Sequence, residues 1–376
     1  MKKLFIAFGL MVTLAASLFA QGSVTEEKTI LYLIPFYSTK YDAQSVSSIK
    51  DCAEMKNINA FQLMGFWAGA QVALDEFNAN NVSLNVIVKD VTDSETKLRA
   101  ILENQALMDK VDLIVGPFFS RQFAIAAQYA KKYKIPIINP FTTRTDILNN
   151  NEYVYKLTPS LESRASTISF LSDIHPKSQI ILYADTVKSQ KEYQAYASYF
   201  RKNNINFKVV PLQKDIIPYL KPDCKNIVWM LSSESAKMLM MSRDLIFKSN
   251  LENLLLVVPE DWLDVATYDI EYYSKLNIHF FSDYFVDYEN ERTQVFVHNF
   301  QEKFSTPPTI ESFAFQGYDV TRFFVNALFQ DMDLDRVKTE TISYHFGFDK
   351  VPSGGQENIN TQFLEVKDNV IKPAEY

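Results

Sequence analysis

Short apolar runs alternate with amphipathic stretches along almost the whole chain, and that rhythm constrains the fold more than any other feature. The runs "TILYLIPF" (29–36), "LNVIVKDV" (84–91), "VDLIVG" (111–116) and "IPIINP" (135–140) read as strands. So do "QIILYAD" (179–185), "FKVVPL" (207–212), "KNIVWMLSS" (225–233) and "LLLVVP" (254–259). Helical periodicity lies between them. In "AFQLMGFWAGAQVALDEFNANN" (60–81), Phe66, Ala70, Ala73 and Phe77 recur on one face. Further helices are expected over 94–109 (N-capped by Ser94), 120–133, 188–203, 234–249, 290–304 and 311–329. Strands alternating with helices predict parallel sheets covered on both faces, hence α/β. The units are too many for one doubly wound sheet, so two lobes are expected. A (β/α)₈ barrel is the alternative, but the irregular stretch 260–290 and the β-rich tail 344–376 do not continue its repeat.

The bulk numbers agree with a globular chain of two domains: 376 residues, 47% hydrophobic and 22% charged. A net charge of −7, without a Lys/Arg cluster, argues against nucleic acid as a partner. The start, "MKKLFIAFGLMVTLAASLFAQ", has two Lys, an apolar run and Ala20 before Gln21, the three-part pattern of a secretory signal peptide. Export with cleavage near Ala20 is therefore expected, with 1–20 as the signal, and a soluble periplasmic or otherwise exported chain without a transmembrane segment after it. No Cys lies near the cleavage point to carry a lipid.

Four segments, in order, resemble the type I periplasmic binding proteins of the leucine/isoleucine/valine-binding branch. They are "GFWAGAQVALDEFNANN", "VDLIVGPFFSRQFAIAAQYAKKYKIPIINPFTT", "EYVYKLTPSLESRASTISFL" and "AFQGYDVTRFFVNAL". The resemblance covers essentially all of the chain beyond the signal. It implies two doubly wound parallel-sheet lobes joined by a three-strand hinge. Lobe one is expected over 28–145 plus 286–333, and lobe two over 146–285 plus 334–376. Cys52 and Cys224 would then lie too far apart to bond, leaving two free thiols. Penicillin-binding-protein activators resemble the same fold.

In parallel sheets ligands sit beyond the carboxyl ends of the strands. Ser120, beside Phe119 in "GPFFS", and Thr142 and Thr143 in "FTTRT" follow two strands joined by one helix. They should line one crevice, where hydroxyls and a helix N-terminus suit a carboxylate. Matching Ser and Thr positions hold that group in the family's amino-acid binders. Ser120 could instead be an ordinary N-cap. From lobe two the candidates are Tyr183 and Asp185, after "IILYAD", and Glu260 and Trp262 in "PEDW", where the resemblance implies an amino-group site. Phe118, Phe119, Arg121 and Phe141 are bulky where the family keeps small residues. Their rings either fill the pocket or stack on a larger ligand or a partner. Asp283 and Asp287 read as part of a crossing strand, and Asp319 as a helix or hinge contact.

Enzyme signatures are missing: no metal-spaced His among the four, no nucleophile elbow, and no Gly-rich phosphate loop in a chain with only 9 Gly. No cofactor or metal is expected. The expected function is a non-enzymatic solute-binding protein that closes on a small carboxylate-bearing ligand, an amino acid or peptide-like molecule, for an ABC-type membrane transporter or receptor. The alternative is a ligand-independent cell-envelope interaction module.

Overall fold

The computed structural model describes residues 27–40, 59–185, 190–232, 234–264, 270–352 and 354–374. The expected signal and Cys52 lie outside them. The chain runs β1 (Lys28–Ile34), α1 (Asn59–Ala79), β2 (Leu84–Asp90), α2 (Glu95–Leu102), α3 (Gln105–Met108), β3 (Leu113–Val115), α4 (Ser120–Tyr133), β4 (Ile137–Asn139) and β5 (Val154–Lys156). It continues through α5 (Leu161–Ile174), β6 (Gln179–Ala184), α6 (Gln190–Lys202), β7 (Phe207–Pro211), β8 (Asn226–Leu231), α7 (Ser235–Lys248), β9 (Leu254–Val257), α8 (Ile270–Leu276) and β10 (Ile278–Ser282). It ends with α9 (Glu291–Phe304), α10 (Ala314–Leu328), β11 (Phe348–Lys350), β12 (Gln356–Asn358), β13 (Gln362–Lys367) and β14 (Val370–Pro373).

Two seven-stranded sheets result, in the orders β2-β1-β3-β4-β5-β12-β11 and β7-β6-β8-β9-β10-β13-β14. Each begins with five parallel strands, and each is finished by strands from the tail, where the antiparallel pairs β11/β12, β10/β13 and β13/β14 lie. The α/β, two-lobe expectation holds. The runs are continuously apolar because both faces are covered. Ile30, Tyr32 and Ile34 of β1 pack under α1 and α10, while Leu31 and Leu33 pack against α2 and α4. The 94–109 stretch is two helices rather than one. Ser94 caps the first through Lys97 N, and Asn104 caps the second through Leu107 N.

The expected lobe boundaries need correction. Residues 154–156, given to lobe two, are β5 of the first sheet, and 348–358 supply its β11 and β12. The chain therefore first crosses at 157–160 rather than near 145, returns at 283–290, and crosses finally at 359–361 rather than near 333. Non-local charge explains the first error. Lys156 sits wholly buried in β5 because Glu357 of β12 lies 3.2 Å from its Nζ. From sequence, "VYK" looks too polar for an inner strand.

Candidate functional site

The turn after β3 is built around Gly116 and a cis Gly116–Pro117 bond. Gly116 has φ +87°, and a Cβ there would lie 2.5 Å from the Leu33 carbonyl, so only glycine fits. Asn139, fully buried at the end of β4, ties this turn to the next. Its amide donates to the Pro117 carbonyl at 3.3 Å, and its Oδ1 accepts from Phe141 N and Thr142 N, each at 2.9 Å. The sequence reading missed Asn139, although an Asn-Pro pair closing an apolar strand is a turn signal.

Asn139 thus ties the Gly116–Ser120 turn to the 141–145 turn, but the side chains of the two turns differ in use. Phe119, not Ser120, is the N-cap residue of α4, and no side chain caps that helix. Ser120 is the first helical residue, half-buried. Thr142 is buried, and its hydroxyl oxygen accepts from Arg144 N at 3.3 Å, so it shapes the turn. Thr143 is exposed. Beside them Phe118 is buried and Phe141 half-buried. Phe141 meets Phe66, Phe118 and Phe313 with ring centroids 5.9, 5.3 and 4.6 Å apart.

In lobe two, a cleft of about 800 Å³ opens beyond the carboxyl ends of β8, β9 and β10. That volume lies in the upper part of the roughly 300–1,000 Å³ range of small-molecule sites. Its apolar wall includes Trp229 and Phe281, whose rings stack 5.5 Å apart at 14°, with Tyr196 and Tyr284 beside them. Among the described residues its charged rim holds the acids Glu192, Glu260 and Asp261 and the cation Arg164. Glu260 is exposed, with Oε1 2.8 Å from the Ser282 hydroxyl.

Among the residues expected to hold a ligand, Glu260 alone lines this cleft. Two expectations are corrected outright. Tyr183 points into the core on the opposite face of β6, its hydroxyl donating to the Leu212 and Lys214 carbonyls at 3.2 and 2.8 Å. The alternation of β6 dictates this, since Ile181 and Tyr183 share one face and Ile180, Leu182 and Ala184 the other. Trp262 is fully buried in the same core, and its Nε1 donates to the Ser232 carbonyl at 2.9 Å. Asp185 is half-buried at the end of β6, where Gln213 Nε2 donates to it at 3.4 Å.

Arg164, in the first turn of α5, was missed. It lies in "TPSLESR", where the chain enters lobe two, and its guanidinium donates to Asp283 Oδ2 at 2.6 Å. Burial pushes the Asp283 carboxyl upward, against the pull of Arg164 and Lys156. Asp283 and Asp287 fall on the second crossing, as the sequence suggested.

The crossings are bound to both lobes. Glu357 Oε1 accepts from Lys156 Nζ, from Ser160 N, and from the Ser163 hydroxyl at 3.1 Å, so a first-sheet strand holds the first turn of α5. Among the described residues no group of three or more His, Cys, Asp or Glu could hold a metal ion, and no helix is long and apolar enough to cross a membrane. Cys224, before β8, is a free thiol.

Comparison with known proteins agrees with this geometry. Residues 58–241 match the family described as periplasmic binding protein. An ABC transporter substrate-binding protein from Desulfitobacterium hafniense in complex with Leu is 17% identical, with a TM-score of 0.52, over 93% of this chain and 100% of its own. A branched-chain amino acid ABC transporter periplasmic ligand-binding protein from Burkholderia xenovorans is 13% identical, with a TM-score of 0.56, over 93% and 94%. Full-length LpoA from Haemophilus influenzae is 12% identical, with a TM-score of 0.58, over 96% of this chain and 62% of its own. No curated protein matches the sequence. The matched segment resembles the periplasmic binding protein family, and the two lobes have the type I fold of such proteins.

Proposed function

We propose that the protein is an exported, non-enzymatic solute-binding protein whose lobes close on a small carboxylate-bearing ligand, an amino acid or peptide-like molecule, and present it to an ABC-type transporter or receptor. The observation that carries this reading is the cleft at the carboxyl ends of β8–β10, whose described lining combines the Arg164 cation, the carboxylates of Glu192, Glu260 and Asp261, and aromatic side chains. Such a rim suits a zwitterion with an apolar body. Similar proteins of this fold include one in complex with Leu. In this reading Glu260 stands on the amino-group side, and Ser120, Phe119 and Thr143 come down from lobe one as the cleft closes. Closure needs only that the closed state make more contacts with ligand than the open one.

The alternative, a ligand-independent envelope module, draws support from one feature. Phe118, buried, and Phe141, half-buried, pack on each other beside the first-lobe turns, which would leave little room there for a small ligand. Thermal unfolding of the chain from Gln21 onward, against amino acids, short peptides and cell-wall fragments, separates the two. A ligand at about 100 times its dissociation constant stabilises by about 2.7 kcal/mol, a visible shift. A flat response across the panel, with a cell-envelope protein captured instead, would favour the module.

A further inference from the structure

We infer that Arg164 reads the acid group of the ligand, so that lobe two, rather than the lobe-one hydroxyls, sets the requirement for an anion. The inference rests on the solute-binding reading above and assigns it a specificity-determining residue.

Three observations converge on Arg164. First, among the described residues it is the cation of the cleft lining; the other charged groups described there, Glu192, Glu260 and Asp261, are acids that would repel a carboxylate. Second, it is aimed but not consumed. One N–H group of the guanidinium donates to Asp283 Oδ2 at 2.6 Å, and the remaining N–H groups have no partner among the described residues. A pair built for stability alone would be expected to close both oxygens, yet the buried Asp283 Oδ1 accepts nothing among the described residues. Third, its backbone is fixed. Ser160 caps α5 through Ser163 N, and Glu357 grips both serines, so the first turn carrying Arg164 cannot drift. A planar donor fork held by a carboxylate behind it, with free N–H groups at the rim of a cleft, is the arrangement that binds a carboxylate in two-point fashion.

The lobe-one alternative is weaker on the same grounds. Thr142 spends its hydroxyl oxygen on Arg144 N, and neither Ser120 nor Thr143 lines the cleft. Their contribution would be neutral hydrogen bonds added on closure, which discriminate poorly between an acid and its amide.

The test compares acids with their carboxamides. Leucine, phenylalanine and the dipeptide Leu-Phe, each with its C-terminal amide, are titrated calorimetrically into the wild-type chain, Arg164→Gln, Arg164→Lys and Ser120→Ala/Thr143→Ala. In the wild type the acid should bind about 10- to 100-fold more tightly than its amide, the value of a charge-assisted hydrogen bond. Arg164→Gln should bind acid and amide alike, Arg164→Lys should fall between, and Ser120→Ala/Thr143→Ala should weaken both without closing the gap. A purely structural role for Arg164 would weaken acid and amide equally. Should Arg164→Gln fail to fold, Arg164→Gln/Asp283→Asn removes both charges and carries the same comparison. Undiminished preference for the acid in either variant overturns the inference while leaving the solute-binding reading standing. A wild-type chain that binds no member of the panel overturns both.

Discussion

Ser343 reaches Asp319 twice, through its backbone N–H at 2.7 Å and its hydroxyl at 2.6 Å, both on Oδ2. Ile342 N and Tyr344 N donate to the same carboxylate, each at 2.9 Å. The segment so gripped lies beside two crossings, because the Ser343 carbonyl accepts from Phe285 N at 2.9 Å and from Gln362 Nε2 at 2.8 Å. Asp319 is fully buried on α10, and burial raises its pKa even though these bonds oppose that. It therefore anchors the chain path that joins the lobes. Asp319→Ala would leave three backbone donors without an acceptor and should cost about 3–5 kcal/mol, read as a lower urea midpoint. A loss below about 1 kcal/mol would mean that the 342–344 segment is held by its other contacts.

Glu357 gives a second prediction at the first crossing. Glu357→Gln keeps the shape but leaves Lys156 buried with its charge uncompensated. Burial already pulls the Lys156 pKa down, and the carboxylate opposes that pull. Breaking such a pair should cost about 3–5 kcal/mol. Lys156→Met/Glu357→Gln, which removes both charges, should recover much of that loss. If the single and double variants unfold at the same denaturant concentration, the pair carries no coupling.

His279 supplies a pH dependence. Burial pushes its pKa down from 6.5 to about 4, although Glu365 Oε2 lies 3.7 Å away on the neighbouring strand. Unfolded, the imidazole binds a proton below about pH 6.5; folded, it resists protonation until about pH 4. The unfolded state thus holds more protons in that window, so stability is full above pH 6.5 and falls as pH drops toward 4. A shift of this size corresponds to roughly 3 kcal/mol. His279→Gln should flatten the stability profile between pH 6.5 and 4 relative to the wild type. An unchanged slope would assign the acid sensitivity to other groups.

How much of this was legible beforehand depended on distance along the chain. Local signals served well. "GFWAGA" and "AFQGYDV" mark a closely packed helix pair, because a Cβ on Gly317 would lie 1.9 Å from the Phe66 carbonyl and one on Gly69 would lie 1.8 Å from that of Ala314. Tyr183 was not legible in the same way, because β6 is apolar and buried on both faces and only its packing partners show which face meets the cleft. Other features were set by residues far away. β5 is an inner strand only because Glu357 arrives 201 residues later, and Arg164 stands out only once Asp283 lies behind it. Trp262 misled because a Trp after a strand is equally at home in a cleft or a core, and a backbone carbonyl 30 residues back decided for the core.

The aromatic cluster of lobe one carries the last prediction, because it separates the two functional readings at one side chain. Phe141 is half-buried against Phe66, Phe118 and Phe313, so Phe141→Ala should cost somewhat less than the 3–5 kcal/mol of a fully buried ring, about 2–3 kcal/mol by denaturant unfolding. Its effect on ligands is the sharper readout. If the ring excludes small solutes from the surface beside Ser120, its loss should let leucine-sized amino acids stabilise a chain that otherwise responds only to larger ones. If the range of ligands stays the same while stability drops, the ring is core packing and the size limit lies in the lobe-two cleft. A gain for small amino acids with the preference for acid over amide intact would place size selection in lobe one and charge selection in lobe two, on opposite sides of the same closure.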